Sequence, residues 1–253
     1  RARAFLVPGL PKMTTYRISQ EPNVFVIFGA AGNVGRVSAA ALRRAGCDVR
    51  AVVRNNEQGA LLEEIGCEIA VADLLDAASV ARAIEGAYAV QILCPVPRAD
   101  ADPATTMRRM IDVSANVLRA DPPQRVLALS DYGAEHPSGT GITTLFHTLE
   151  MRLAPIAAQL TFLRAAEHMH IWARLLPVAL ARGVLPSLHH PLTKLFPTVA
   201  AEDVGLLAAE LLLDERPAKE GPRVVSIEGE TRVSALDLAH TLGALTQRQI
   251  TAY

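Results

Sequence analysis

The feature that most constrains this chain is a continuous apolar run that ends in a series of glycines. The run from Val24 to Phe28 has no polar interruption, which is typical of a strand covered on both faces. Gly29, Gly32 and Gly35 follow it at intervals of three residues. The stretch predicts a buried strand, a tight glycine turn and the start of a helix. The apolar residues after the turn keep the spacing of one helical face: Val34, Val37, Ala41, Leu42 and Ala45.

The three glycines have separate physical uses in such a turn. Gly29 can adopt a backbone angle closed to other residues, Gly32 lets the main chain approach a ligand, and Gly35 lets the helix pack close to the strand. A diphosphate could then bind the free N–H groups at the helix N-terminus, where the peptide dipoles favour an anion. The spacing differs from the more familiar G-x-G-x-x-G, and a helix-packing turn without a ligand is the alternative. The strand before and the helix after favour a dinucleotide site.

The chain then alternates between apolar strands and helices of about ten residues. This order predicts right-handed crossovers, a parallel sheet, and an α/β doubly wound fold of the Rossmann type, in which ligands bind beyond the carboxyl ends of the strands. The predicted strands after the first are Cys47–Arg54, Glu68–Asp73, Tyr88–Cys94, Arg125–Ser130 and Gln159–Arg164, and the predicted helices are Asn56–Ile65, Asp76–Glu85, Asp102–Ala120 and Leu145–Leu153.

The pattern becomes less regular from about Ile171, where several prolines separate short apolar pieces. A helix from Asp203 to Leu213, a short strand from Arg223 to Ile227 and a helix capped by Ser234 and Asp237 are expected there. We therefore divide the chain into an N-terminal extension (1–22), a Rossmann domain (23–170) and a small C-terminal α/β lobe (171–253), which is interleaved with the Rossmann domain, would choose the substrate, and could be truncated. Met13 could be the natural start, with the residues before it an upstream extension.

Charge and cysteine content exclude some classes of protein. The formal net charge is −1 and the pI is near 6.7, so direct nucleic-acid binding and binding to an anionic membrane are not expected. No apolar run reaches the roughly 18 residues of a spanning helix, and the first residues lack a signal-peptide core. The three cysteines, Cys47, Cys67 and Cys94, have no C-x-x-C spacing, which indicates reduced, buried thiols and a cytoplasmic location.

The end of the second strand indicates which dinucleotide is bound. A fold that prefers NAD usually has an acidic residue there to bind the ribose hydroxyls, but this chain has Arg54. A guanidinium at that position would pair with a 2′-phosphate, so NADP(H) is the expected coenzyme. A solvated strand-end arginine is the alternative, and Arg36 could share or replace the role. Asp73, at the end of the third strand, would meet the adenine region or cap the helix that starts near Asp76.

An ordered series of motifs in this chain resembles the NmrA-like branch of the short-chain dehydrogenase/reductase superfamily, from about Asn23 to Gly243. The branch includes NADPH-dependent quinone or azo reductases and NADP-sensing regulators without evident turnover. The motifs are G-A-A-G-N-V-G-R (29–36), A-V-V-R-N (51–55), V-A-D-L-L-D (71–76), E-G-A-Y-A-V (85–90), E-x-x-L (150–153), T-F-L-R-A-A-E-H-M (161–169) and T-V-A-A-E-D-V-G (198–205).

The resemblance implies a role for each part of the coenzyme site. The glycine turn would hold the diphosphate, Arg54 the 2′-phosphate, and Asp73 with Leu74 the adenine. Residues 94–96 would pass beneath the nicotinamide-side ribose, and residues 165–168 would approach the nicotinamide. The residues implied are Gly29, Ala31, Gly32, Asn33, Val34, Gly35, Arg54, Asp73, Leu74, Cys94, Pro95, Val96 and His168.

Two positions depart from the pattern of the branch. Relatives commonly carry Lys or His four positions before the residue that matches Glu150, where this chain has Phe146, with His147 one residue later. The usual Phe-Met-Glu-Asn reads His168-Met169-His170-Ile171. These changes bear on any catalytic contact taken from the resemblance.

The chain lacks the tyrosine and lysine pair of ordinary short-chain dehydrogenases. Tyr16, Tyr88 and Tyr132 are followed four residues later by Gln20, Ile92 and His136. Ketone chemistry by that route is therefore not expected, whereas hydride transfer to a quinone or azo group could depend chiefly on positioning.

His147 is the catalytic candidate, as a proton donor or a ribose contact, because an unperturbed imidazole titrates near neutrality. A packed or surface histidine is the alternative. The other clustered histidines, His168, His170, His189 and His190, lack the spacing of metal ligands, so no metal is expected. Ser130-Asp131 lacks a nucleophile elbow, which argues against a hydrolase.

We therefore predict an oxidoreductase that binds NADP(H) and reduces a quinone-like or azo small-molecule acceptor. The alternative is a regulator that senses the NADPH/NADP ratio, without turnover, as a homodimer or with a protein partner. An isomerase or reductase of a specialised metabolite is the third reading, because substrate choice would reside in the irregular lobe.

Overall fold

A computed structural model describes residues 3–4, 23–97, 100–156, 159–216 and 221–253; almost all of the N-terminal extension (1–22), with Tyr16 and Gln20, lies outside them. Its strands are β1 Arg3–Ala4, β2 Val24–Phe28, β3 Asp48–Val53, β4 Glu68–Val71, β5 Ala87–Ile92, β6 Arg125–Asp131, β7 Gln159–Ala165, β8 Glu167–His168, β9 Val184–Leu185, β10 Thr198–Val199, β11 Arg223–Glu228 and β12 Thr251–Ala252. Its helices are α1 Gly35–Arg44, α2 Ala60–Glu64, α3 Ala77–Ile84, α4 Pro103–Ala120, α5 Thr143–Leu153, α6 His170–Ala173, α7 Leu176–Arg182, α8 Ala201–Leu213 and α9 Ala235–Thr246, with a 3-10 turn at Asn56–Gly59.

The main sheet confirms the predicted doubly wound α/β fold. Its strand order is β1-β11-β7-β6-β5-β2-β3-β4, and all neighbouring strands run parallel except β1, which pairs antiparallel with β11. Seven strands are therefore parallel, one more than the six expected. The carboxyl ends of parallel strands meet at one edge of the sheet, and this is the edge where such folds bind their ligands.

The sheet is covered on both faces by helices. On one face, Ile27, Ala51 and Leu163 belong to a buried core that includes residues of α1 and α8. On the other face, Val26, Phe28 and Val90 pack with residues of α3, α4 and α5. This burial on both sides explains why the strands read as continuous apolar runs.

The C-terminal part of the chain contributes to the main sheet as well as to smaller units. β11 pairs with β7, and α8 packs on α1 so closely that a Cβ on Gly205 would lie 2.7 Å from the Val34 carbonyl oxygen. The short pairs β10 with β8 and β12 with β9 lie outside the main sheet. The proposed division at residue 170 stays a prediction.

Candidate functional site

The turn between β2 and α1 requires glycine at two positions for steric reasons. Gly29 has a φ of +67°, and a Cβ there would lie 2.5 Å from Cδ2 of Leu93. A Cβ on Gly35 would overlap the carbonyl oxygen of Gly29. The turn is closed by a hydrogen bond from the Gly32 amide to the Gly29 carbonyl at 2.9 Å. Gly32 is exposed, and a Cβ there meets only the Gly29 oxygen, at 3.1 Å.

The same turn presents backbone donors that the described residues do not use. The amides of Ala31, Asn33, Val34 and Gly35 donate to no acceptor among the described residues. Helix α1 starts without a side-chain cap and has no acidic residue in its first turn. Free amides at an uncapped helix N-terminus attract an anion, so the residues present fit the diphosphate of a dinucleotide.

Arg54 directly follows β3, so it lies at the same edge of the sheet. Its side chain is exposed and has no hydrogen-bond or ion-pair partner among the described residues, and the same is true of Arg36. The backbone near Arg54 is ordered by Asn55, whose side chain accepts the Gln58 amide at 3.1 Å. An unpaired guanidinium on a fixed strand end is suited to bind a phosphate.

The structure separates the two roles considered for Asp73. Its Oδ1 accepts the Leu75 amide at 2.9 Å, which fixes the turn after β4, whereas Asp76 caps α3 by accepting the Ala78 amide at 3.0 Å. Asp73 is exposed, and Leu74 beside it is half-buried against the α3–α5 core. Both residues remain at the edge where the adenine contact was predicted.

The segment after β5 has a buried thiol and an exposed backbone. Cys94 is only 1% exposed, its Sγ lies 3.9 Å from Oγ of Ser114, and burial raises the pKa of the thiol to about 12. Pro95 is exposed and Val96 is half-buried. A ligand at this point would therefore meet the main chain and not the Cys94 thiol.

His147 is held in one tautomer by a backbone contact. Its Nδ1 lies 2.8 Å from the carbonyl oxygen of Ala134, in the loop after β6, so Nδ1 carries the hydrogen. The Nε2 atom has no partner among the described residues. Neutral His147 therefore accepts a hydrogen bond at Nε2 and donates there only as imidazolium.

His168 lies in β8, three residues beyond the end of β7. Burial and the nearby His170 lower the pKa of His168, which favours the neutral ring. The two rings make an edge contact at 5.3 Å, and both Nδ1 atoms are buried without a hydrogen-bond partner among the described residues. Within the described part of the chain, no three His, Cys, Asp or Glu side chains converge as a metal site.

The parallel topology brings most predicted site residues to one edge of the sheet. The glycine turn, Arg54, Asp73, Cys94 and His168 follow five different strands at their carboxyl ends. Sequence reasoning did not place three further acid or base residues at this edge: Asp131, Glu167 and His189. Asp131 ends β6 and Glu167 lies two residues after β7, so their positions at strand ends were the signal that could have placed these two residues there.

The carboxylate of Glu167 contacts two side chains, those of Trp172 and His189. Its Oε1 accepts the Trp172 indole N–H at 2.5 Å, and its Oε2 lies 2.9 Å from Nε2 of His189. The His189 ring stacks on Phe196 with centroids 3.8 Å apart. Glu167 and His189 thus lie against the aromatic rings of Trp172 and Phe196, next to the end of β7.

Comparison by family model matches residues 29–215 to the family described as NAD(P)H-binding. No curated protein matches the sequence significantly. None of the described helices has the length and apolar character needed to cross a membrane.

Solved structures share the fold at low sequence identity. Citrobacter sp. triphenylmethane reductase complexed with NADP(H) is 18% identical, with a TM-score of 0.76 over 90% of this chain and 78% of that one. An Escherichia coli NADPH-dependent quinone oxidoreductase complexed with NADPH is 20% identical, with a TM-score of 0.77 over 90% and 77%. A Staphylococcus aureus nucleoside-diphosphate-sugar epimerase is 16% identical, with a TM-score of 0.73 over 91% and 79%.

Proposed function

The chain belongs to the NAD(P)H-binding family, and on that premise we propose that it binds NADP(H) and transfers hydride to a quinone-like or azo acceptor. The family assignment confirms the resemblance to an atypical short-chain dehydrogenase/reductase group. The observation that carries the proposal is that helix-terminal amides and the guanidinium of Arg54 lie at the same sheet edge, each without a partner among the described residues. The amides suit a diphosphate and the guanidinium suits a further phosphate.

Each part of the site has a binding task in this proposal. The amides of the glycine turn hold the diphosphate, Arg54 selects the 2′-phosphate, and Asp73 with Leu74 contacts the adenine. The main chain of residues 94–96 supports the ribose beside the nicotinamide, and His168 contacts the nicotinamide itself. When bound, the coenzyme supplies a hydride.

In this proposal the proton donor is not a tyrosine with a lowered pKa. Burial and the charge of Glu228 raise the pKa of Tyr132 to about 12, so its phenol is a poor acid near neutrality. Positioning of the acceptor against the coenzyme then supplies most of the rate, which suits acceptors that accept hydride readily. His147 offers a hydrogen-bond acceptor to a ribose hydroxyl in its neutral form, or a proton when charged.

Two of the structural neighbours support the choice of acceptor. One is a reductase of triphenylmethane dyes and the other a quinone oxidoreductase, and both were solved with NADP(H) or NADPH. The three cysteines, Cys47, Cys67 and Cys94, are all free thiols, which supports a reducing, cytoplasmic location.

The second candidate is a regulator that binds NADP(H) without turnover. It is favoured by the high pKa of Tyr132 and by His147, whose bound Nδ1 leaves no neutral proton donor on the ring. In that case the partner is a second copy of the chain or another protein.

The two candidates differ in whether NADPH is consumed. Calorimetry with NADPH and NADH measures binding, and loss of NADPH absorbance with small quinones, an azo dye and a triphenylmethane dye measures turnover. Consumption above an enzyme-free control, with a KM for NADPH that rises in the Arg54→Gln variant, is expected for the reductase. Tight binding with no acceptor reduced at any pH would favour the regulator, and equally weak binding of both coenzymes would exclude both functions.

A further inference from the structure

Asp131 is a half-buried carboxyl group that no cation balances in the described structure. Its Oδ2 accepts a hydrogen bond from the Thr143 hydroxyl at 2.8 Å, and no arginine or lysine contacts it there. By contrast, Glu150, Asp214 and Glu228 each pair with an arginine. Asp131 therefore differs from these three carboxylates, because no arginine neutralises its charge in the described structure.

The strand order places Asp131 inside the proposed coenzyme site. β6 lies between β5 and β7 in the sheet. The segments that follow those two strands, residues 94–96 and 165–168, are the ones proposed to hold the nicotinamide and its ribose. Asp131 ends β6 and lies opposite Ala165 in the strand register. It is thus flanked by both segments at the carboxyl edge.

The surroundings of Asp131 raise its pKa, so its carboxyl group is a weaker acid than one in water. Burial, followed by the negative charge of Glu167, raises the pKa of Asp131, while the Thr143 hydroxyl and the Tyr132 amide lower it. A carboxyl group with a raised pKa at the ligand-binding edge of a sheet is a candidate acid. The titratable or charged groups next to the end of β6 lie on five elements: Tyr132, Glu135 and His136 in the loop that follows it, His147 and Glu150 on α5, Arg164 on β7, Glu167 and His168 on β8, and Glu202 and Asp203 at the start of α8.

We propose that Asp131 is the proton donor to the acceptor, an assignment that rests on the proposed function. The acceptor takes a hydride, with its two electrons, from the coenzyme, which is oxidised. The O–H bond of the Asp131 carboxyl breaks, and its proton goes to the acceptor atom on which negative charge collects. The carboxylate regains a proton from water. His147 then serves as the ribose contact, because its Nδ1 hydrogen is directed at Ala134.

Two substitutions are expected to shift the pKa of Asp131 in opposite directions. Thr143→Val removes a hydrogen bond to the carboxylate and raises the pKa, whereas Glu167→Gln removes a negative charge and lowers it. Gln at position 167 can still accept the Trp172 N–H, so the aromatic cluster is retained. If Asp131 served only the fold, the two substitutions would not shift the pH dependence of kcat in opposite directions.

The first measurement is an infrared difference titration of the protonated carboxyl in the coenzyme-free protein, with Asp131→Asn to assign the band. The second is the pH dependence of kcat for quinone reduction. Activity is expected to fall as pH rises through the Asp131 pKa, and both the band and this falling limb are expected to move up in Thr143→Val and down in Glu167→Gln. Asp131→Asn is expected to lose the limb and about 100-fold in kcat while its affinity for NADPH is retained.

Asp112→Asn on α4 is the matched control, because Asp112 pairs with Arg152 at 2.5 Å away from the sheet edge. It is expected to keep the wild-type profile. A limb that survives in Asp131→Asn, or a band that moves in the same direction in both shift variants, would overturn the assignment and leave the reductase proposal standing. Absence of turnover in the wild-type protein at every pH would overturn both.

Discussion

The guanidinium of Arg164 on β7 holds the carboxylate of Glu150 on α5 through two hydrogen bonds, Nε to Oε1 at 2.9 Å and Nη2 to Oε2 at 2.7 Å. Ser130 on β6 donates to the same Oε1 at 2.6 Å. These bonds join β6, β7 and α5. They lie next to Asp131 along β6, and Glu150 is about one helical turn from His147 on α5. The Arg164–Glu150 pair therefore holds together the elements that carry the proposed active site. The pKa of Arg164 is raised chiefly by its hydrogen bond to Glu150.

Removing only Arg164 should destabilise the fold strongly. Arg164→Met leaves the carboxylate of Glu150, which is 7% exposed, without its cation, and breaking such a buried pair costs about 3–5 kcal/mol. Urea denaturation would measure this loss, and the double variant Glu150→Met/Arg164→Met is expected to recover much of it. Glu135→Gln is the control, since Glu135 contacts the same arginine from an exposed position. Equal losses in the single and double variants would mean that shape, not charge, sets the stability.

Glycines 32 and 35 should separate coenzyme binding from folding. Gly32→Ala adds a methyl group to the exposed side of the turn, with only the Gly29 oxygen at 3.1 Å, so the midpoint of thermal unfolding should change little. Its affinity for NADPH is expected to fall at least about tenfold, because the main chain can no longer approach the diphosphate closely. Gly35→Ala overlaps the Gly29 carbonyl and should lower stability as well. Calorimetry and thermal unfolding check both, and unchanged NADPH affinity in Gly32→Ala would contradict the placement of the diphosphate.

Replacing Arg54 should alter the choice between coenzymes. The side chain has no other partner among the described residues, so Arg54→Gln removes no protein contact and should leave stability unchanged. Loss of charge-assisted hydrogen bonds to the 2′-phosphate, worth about 1.5–3 kcal/mol, is expected to weaken NADPH binding by one to two orders of magnitude and NADH binding hardly at all. Arg36→Gln is the matched variant, and a larger loss there would transfer the role to Arg36.

The sequence predicted the elements of this fold more fully than their arrangement. The run from Val24 to Phe28 and the cap formed by Ser234 with Asp237 are both present, because burial on two faces and helix capping are local requirements. The pairing of β11 with β7 joins residues about sixty positions apart, and periodicity carries no information on which strand is the neighbour. For that reason the sequence pattern predicts the short strand at Arg223 but not its place beside β7 in the main sheet.

The candidate site was likewise predictable from the sequence only in part. The glycine turn and Arg54 were predicted because each role depends on residue type at one strand end. The contact of Glu167 with His189 joins positions 22 residues apart through a loop, and Gln91 is fully buried on β5 with neither amide atom bonded to a described residue. Such contacts depend on tertiary packing, which a local pattern does not encode.

Acid should remove the stabilisation that Asp214 gives at the end of α8. Its carboxylate, 9% exposed, accepts hydrogen bonds from Arg216 at 2.6 Å and from Arg223 at 2.8 Å, and these contacts, Arg216 first, lower its pKa. A carboxyl group with a lowered pKa in the folded state stabilises the protein above its unfolded pKa of about 3.9, and that contribution is lost as pH falls through the folded pKa. Asp214→Asn should therefore cost about 1–3 kcal/mol at neutral pH and progressively less in acid. Urea denaturation at a series of pH values checks this, with the exposed Asp121→Asn as control. A difference from wild type that is the same at every pH would show that Asp214 acts through its shape and neutral hydrogen bonds, because only the charged form responds to protonation.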